Sequence, residues 1–279
     1  MHSFIEVEFR TGRLGYYKNP EGLPIQPEDL IIVEVERGDD IAQVTHLSVN
    51  DPEMPPSQQG NRQFVIKRLA TEEDIAKMLN LSHEEERATE VFLNIVQRYP
   101  FTMKLIETVF QFDGNKLTFF FSAEGRIDFR VFVRELANVF KTRIELHQTT
   151  GRDEARRLGG FGLCGNQYCC ASFLKRFSQV TIKMAKDQNL ASNLSKISGP
   201  CGRLLCCLSF EEGFYVEEAK GFPALGTCVM LKDKKMYVVK NDILNDKVHL
   251  SDDEQLPTEL NLAEFSKLKV VESPDQAPC

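Results

Sequence analysis

Near the start of the chain, Ile5, Val7 and Phe9 alternate with Glu6, Glu8 and Arg10, the period-two pattern of a strand with one face buried. "DLIIVEVER" at 29–37 and "AQVTHLS" at 42–48 continue it across the turn residues "RGDD", which predicts a small antiparallel barrel or sheet. The period then changes. Ser82 followed by Glu85 has the form of a capping box, and Ala88, Val91, Phe92, Ile95, Val96 and Tyr99 recur at helical spacing. "FTMKLIETVFQF" and "KLTFFFSA" flank Asp113-Gly114, a strong hairpin signal. Asp128 is placed to cap a second helix with Phe129, Phe132, Val133, Leu136 and Phe140 inward, and "TRIELHQT" ends the run as a strand. "GTCVMLKD", "KMYVVKND" and "DKVHLSDD" predict three more short strands further on.

The expected class is therefore α+β, with a small N-terminal antiparallel β element, a central α-β-β-α-β unit, duplicated cysteine-rich loops and a small C-terminal β element. The boundaries read as 1–49 for the first β element, 50–66 for a proline-rich linker and 67–150 for the α/β unit. The cysteine region follows at 151–211, the second β element at 212–270 and a mobile tail at 271–279. The phenylalanines of the α/β unit read as core.

Composition changes this picture little: 279 residues, 42% hydrophobic and 27% charged, without tryptophan. No apolar run approaches the ~20 residues that a membrane helix needs. "MHSFIEVEFR" is not a basic segment followed by an apolar one, so the expected place is the cytoplasm, without membrane insertion. Thiols stay reduced there.

Charge is more informative. The formal −7 divides into −7 for residues 1–149, +6 for 150–210 and −6 for 211–279. The basic segment, with nine basic and three acidic side chains, holds the cysteines. Such a local field suits an anionic partner, or else offsets thiolates and solvates loops.

Six of the eight cysteines fall in two copies of CGxxxCC. "GLCGNQYCCASF" (162–173) and "GPCGRLLCCLSF" (199–210) agree at seven of twelve positions, 37 residues apart. Cys164, Cys169 and Cys170 recur as Cys201, Cys206 and Cys207. Packing alone, a thiol switch and metal binding are the alternatives, and metal is favoured. Glycines at 162, 165, 199 and 202 permit loops that curl around a site. Adjacent cysteines do not readily face one point, so each loop would give Cys164 or Cys201 plus one of its pair. Four thiolates satisfy tetrahedral zinc or a cubane iron–sulfur cluster. No histidine lies between 148 and 248, which disfavours mixed Cys/His zinc, and the surplus cysteines weaken zinc further. Cys228 within a strand and Cys279 at the end stand apart, Cys228 as a small buried apolar side chain.

A nucleophilic cysteine needs a base within reach. His2, His46, His83, His147 and His249 are scattered and only His147 precedes the cysteine region closely. "GGFG" at 159–162 is a weak phosphate-loop hint without a Walker lysine. No enzyme is expected. Lys175, Arg176, Lys183, Lys186, Lys196 and Arg203, with Phe173 and Phe177, form an alternative anion or nucleic-acid contact set.

"GRDEARRLGGFGLCGNQYCC" and "VTIKMAKDQNLASNLSKISGPCGRLLCCLSFE" resemble the signature of the YaaT/RicT-like bacterial family, whose core is the domain shared with the C-terminal part of a yeast polymerase-alpha suppressor protein. The likeness covers roughly residues 1–250 and is sharpest at 151–211. It implies a cytoplasmic regulatory protein that assembles with two small helical proteins of the YlbF and YmcA type. Such a complex carries [4Fe-4S] clusters and promotes mRNA processing by endoribonuclease Y, which influences sporulation, competence and biofilm formation; RNA is a further candidate partner. By motif match the ligand role falls on Cys164, Cys169, Cys170, Cys201, Cys206 and Cys207. One departure stands out: the family's CGR reads Cys164-Gly165-Asn166 in the first copy, so only Arg203 keeps the arginine.

Overall fold

The computed structural model describes residues 4–49, 64–125, 127–190, 193–232, 234–252 and 257–272. Most of the expected linker, the end of the expected tail and Cys279 lie outside them. The chain divides into two compact units, residues 1–150 and 151–279.

The first unit opens with β1 (Phe4–Phe9), β2 (Leu14–Tyr17), β3 (Leu30–Glu34), β4 (Asp39–Val49) and β5 (Ile66–Leu69). They make an antiparallel sheet in the order β2-β1-β4-β3-β5. Alternation along β3 serves two cores. Ile31 and Val33 join Val7, Tyr17, Val44 and Ile66 on one side. Ile32 joins Ile41, Leu81 and Phe112 on the other. A strand covered on both faces reads as a continuous apolar run, which "LIIV" is.

The α-β-β-α-β order follows as expected: α1 (Glu72–Val96), β6 (Met103–Phe110), β7 (Lys116–Ala123), α2 (Arg130–Phe140) and β8 (Arg143–Gln148). β6 and β7 are the antiparallel hairpin about Asp113-Gly114, and β8 pairs parallel to β7. Ala88, Phe92 and Ile95 of α1 pack with Phe132 and Leu136 of α2 over Leu117 and Phe119.

Two expected helix starts are corrected. Ser82 and Glu85 lie in the interior of α1, which begins ten residues earlier behind Thr71. The capping box is Thr71–Asp74: the Asp74 amide donates to the Thr71 hydroxyl at 3.3 Å, and the Thr71 amide donates to the Asp74 carboxylate at 2.8 Å. Three acidic residues in the first turn favour that start. Glu85 instead is buried and accepts from the Arg10 guanidinium at 2.6 Å and the Phe110 amide at 2.7 Å. α2 starts one residue later than a cap at Asp128 would give, although the Asp128 carboxylate does accept from the Arg130 amide at 3.1 Å.

The second unit begins with α3 (Arg152–Leu158), α4 (Ile182–Asp187), α5 (Leu194–Ile197) and α6 (Cys206–Ala219). Met184 and Ala185 of α4 pack with Ile197 and Leu208, and the Gln188 side-chain amide donates to the Leu208 carbonyl at 2.6 Å. β9 (Cys228–Leu231), β10 (Lys234–Asp242), β11 (Lys247–Ser251), β12 (Thr258–Asn261) and β13 (Val270–Glu272) follow, with α7 (Leu262–Phe265) between the last two. Their antiparallel order is β12-β11-β10-β9-β13, two strands more than expected. Val229, Val238, Val248, Leu250 and Phe265 form its core, and Cys228 is buried in β9 as a small apolar side chain.

Candidate functional site

The sequence repeat is also a repeat of backbone hydrogen bonds. In the first loop the Tyr168 amide donates to the Gly160 carbonyl at 3.0 Å; in the second, the Leu205 amide donates to Ile197 at 2.9 Å. The Gly162 amide donates to Asn166 at 2.8 Å, and the Gly199 amide to Arg203 at 2.8 Å. The Gly165 amide donates to Gly162 at 3.0 Å, and the Gly202 amide to Gly199 at 3.0 Å. Phe161–Gln167 and Ser198–Leu204 are matching isolated antiparallel bridges. Each bond recurs at the same offset although Asn166, Gln167 and Tyr168 are replaced by Arg203, Leu204 and Leu205. The glycines set the shape: Gly165 and Gly202 have φ of 81° and 71°, where a side chain is strained.

Each loop therefore carries one cysteine at its tip and delivers its adjacent pair just past its closing bond. Beyond that point the copies diverge. Cys169 and Cys170 lie in a turn in which the Ala171 and Ser172 amides both donate to the Tyr168 carbonyl. Cys206 and Cys207 are the first residues of α6.

All six cysteines line one pocket of about 310 Å³, with Ala155, Leu163, Tyr168, Lys196, Leu204 and Leu205 among its other walls. Cys164 is exposed, Cys170 is buried and the other four are half-buried. None of the seven described cysteines is in a disulfide. Among the described residues, no three thiols, carboxylates or imidazoles stand in a group that could hold a metal ion.

Burial pushes the Cys206 thiol up to about 11; the neighbouring thiols of Cys170, Cys169 and Cys201 add to the rise and Arg152 opposes it. Burial raises Cys170 as well, against Arg152 and Arg156, and raises Cys207 with help from Glu211 and Cys169. These three thiols are protonated at neutral pH, so a metal binding there would displace protons.

Of the candidate basic contacts, only Lys196 joins the cysteines on the pocket lining. Arg203 lies against Gly151 at the start of α3. The Lys175 ammonium donates to the Ala171 carbonyl at 3.2 Å, and Arg176 follows it in sequence within the same non-helical stretch. Lys183 and Lys186 are exposed on α4, Lys183 within 3.5 Å of Asp187. Phe177 is covered by the Arg152 guanidinium, 4.5 Å above its ring. "GGFG" makes no phosphate loop: Gly159 ends α3, and a Cβ at Gly160 would lie 2.9 Å from the Tyr168 ring. His147, in β8 of the first unit, packs edge-on against Phe120 at 5.4 Å.

Sequence reasoning missed Arg152 and Arg156. They stand one helical turn apart on α3, on the face that also carries Ala155 of the pocket wall. Their signal was the net charge of the segment, which did not separate them from the other basic residues.

The PSP1 C-terminal conserved region matches residues 65–149, and the third domain of PSP1-like proteins matches residues 179–222. The chain is 39% identical over 248 residues to the stage 0 sporulation protein YaaT of Bacillus subtilis, covering 88% of each chain. The chain belongs to the YaaT family. An uncharacterised protein of Schizosaccharomyces pombe is 25% identical over 177 residues, 54% of this chain and 24% of that one. No solved structure matches. Between the two PSP1 matches lies the first cysteine loop, and the second falls inside the later match. Among the described residues, no helix is long and apolar enough to cross a membrane.

Proposed function

We propose that this YaaT-family chain is a cytoplasmic regulatory adaptor that binds an iron–sulfur cluster through its paired cysteine loops. The observation that carries the reading is the meeting of six thiols, three from each of two equivalent loops, on one pocket. The kinship with a protein named for a stage of sporulation supports the regulatory part.

The donor set fits the group. Four thiolates can hold a single tetrahedral ion, with each sulfur about 2.3 Å from it, or a cluster. A cubane cluster is held by four thiolates spread around a larger body. Cys164, Cys169, Cys170, Cys201, Cys206 and Cys207 are the residues that would hold it. A bound cluster supplies one-electron chemistry and sensitivity to oxidants. The chain supplies a partly apolar wall from half-buried Leu204 and Leu205.

Binding rather than catalysis is the reading because activated cysteine nucleophiles have depressed thiol pKa values, whereas burial raises Cys170, Cys206 and Cys207. In this reading the chain acts in a complex with small helical proteins of the YlbF and YmcA type and promotes mRNA processing by endoribonuclease Y. Direct nucleic-acid binding draws less support, since Phe177 is occupied by Arg152 and Phe173 meets Phe210 edge to face.

The test is anaerobic purification of the full chain with iron, sulfide and zinc analysis. Brown protein with matched iron and sulfide and a broad band near ~400 nm, characteristic of thiolate-ligated iron, is expected. Colourless protein with stoichiometric zinc would make the loops a structural staple, and cluster retained after joint replacement of Cys164 and Cys201 would displace the ligand assignment.

A further inference from the structure

We propose that Arg152, supported by Arg156, is the built-in counter-charge of the cysteine pocket and a positioning residue for whatever thiolate centre forms there. This rests on the metal-binding reading above and adds to it a residue that is not a ligand.

The geometry begins with α3. Arg152, Ala155 and Arg156 share one face of this short helix, and Ala155 is part of the pocket wall. The Arg152 side chain reaches the second loop, where Nη2 donates to the Leu204 carbonyl at 3.1 Å. Leu204 lines the pocket two residues before Cys206. Phe177 fixes the guanidinium from the opposite side at 4.5 Å, so the charge is held in place rather than swinging in solvent. Its Nε–H is buried and has no hydrogen-bond partner among the described residues. A buried guanidinium donor left in this way calls for an acceptor. Leu204 belongs to the second loop and Phe177 to the stretch that follows the first, so the guanidinium is tied to both repeats rather than to one of them. Arg156 lies one turn further along the same face of α3, and its guanidinium is steadied by Asp153 at 3.3 Å.

The physical consequence has a definite sign. Four thiolates around a divalent centre carry net negative charge, and a fixed cation beside them favours the assembled state. Adding an electron makes the centre more negative, so the same cation also favours the reduced form.

The probe is cobalt(II) alone, titrated anaerobically into the reduced full-length chain and followed by its thiolate-to-metal charge-transfer band. R152Q is expected to weaken cobalt binding by about tenfold, the scale of outer-shell changes, with R152K retaining most of the affinity. If the wild-type chain gives no thiolate band, the metal-binding reading itself fails. If it binds and R152Q binds equally well, this inference fails while that reading stands. Equal loss in R152Q and R152K also overturns it, because charge would not then be what matters. Thermal melts of each variant without metal identify misfolding. Should R152Q not fold, R156Q decides: unchanged cobalt affinity overturns the inference and a several-fold loss supports it.

Discussion

Phe173 and Phe210 are equivalent residues of the two cysteine repeats, and their rings meet edge to face with centroids 5.0 Å apart. The last shared residue of each copy therefore touches its own counterpart. The duplication makes one composite site with matched halves, in which Cys169-Cys170 and Cys206-Cys207 precede the touching rings by the same spacing. Both rings remain more than half exposed.

The aromatic pair gives the first prediction. A double-mutant cycle of F173A and F210A, read by chemical denaturation, should return a coupling of about 0.5–1.5 kcal/mol, the usual worth of such a contact. Additive single effects would mean that the two copies do not support each other through these rings.

Loop shape depends on glycine at different strengths. G165A and G202A put a side chain into the left-handed region with open space around it, and each should cost about 1–2 kcal/mol. G160A drives a Cβ into the Tyr168 ring and should cost more. Thermal melts of the three variants give the ranking, and a G160A no worse than G165A would contradict the packing described.

Thiol reactivity should follow position in the pocket. At pH 8, a thiol pushed up to about 11 is ~0.1% thiolate, so Cys206 should alkylate very slowly. Cys164 is exposed and should label first, while buried Cys170 should label last or only on unfolding. Timed iodoacetamide labelling of the reduced chain with peptide mass spectrometry reads the order directly. Early labelling of Cys170 would show that the pocket opens freely.

Two aspartates of the first unit should shape acid stability with opposite signs. The Arg68 guanidinium, aided by Thr71, holds the Asp74 carboxyl well below the usual range. Its contribution is present above the unfolded value near 4 and is lost as pH falls through the folded one. Burial pushes Asp40 up to about 6, partly countered by the Phe112 and Ile41 amides that donate to it. Asp40 therefore penalises the folded state above pH ~6, and the penalty fades as pH falls toward ~4. Urea denaturation followed by circular dichroism should find D40N flatter between pH 4 and 6. D74N should lose about 1 kcal/mol or more at neutral pH with its cap, and lose its slope below pH 4. A D40N profile parallel to the wild type would remove Asp40 from this account.

The α/β unit was legible because its elements are long and periodic: Ala88, Phe92 and Ile95 mark one helix face, and Asp113-Gly114 marks the hairpin. Short strands were harder. "LGYY" of β2 lacks alternation, and β5, β12 and β13 are edge strands held by their neighbours rather than by their own pattern. Ser82 and Glu85 carried the right letters for a helix start, but the buried Glu85 answers Arg10 and the Phe110 amide instead. The cysteine loops could be read because identical spacing imposes identical backbone bonds. Arg152 could not, since its link to Leu204 spans 52 residues and α3 is too short to display a period.

The repeats match in chemistry and differ in mechanics. Cys169 and Cys170 sit on a turn, where a few torsions suffice to re-aim a sulfur. Cys206 and Cys207 head a fourteen-residue helix, a rod about 20 Å long. Drawing one pair toward a guest is a local adjustment, whereas drawing the other means tilting the whole rod. The first pair is thus set on torsions that can adjust locally, and the second at the head of a rod whose further turns bear Phe214 and Val216 in solvent.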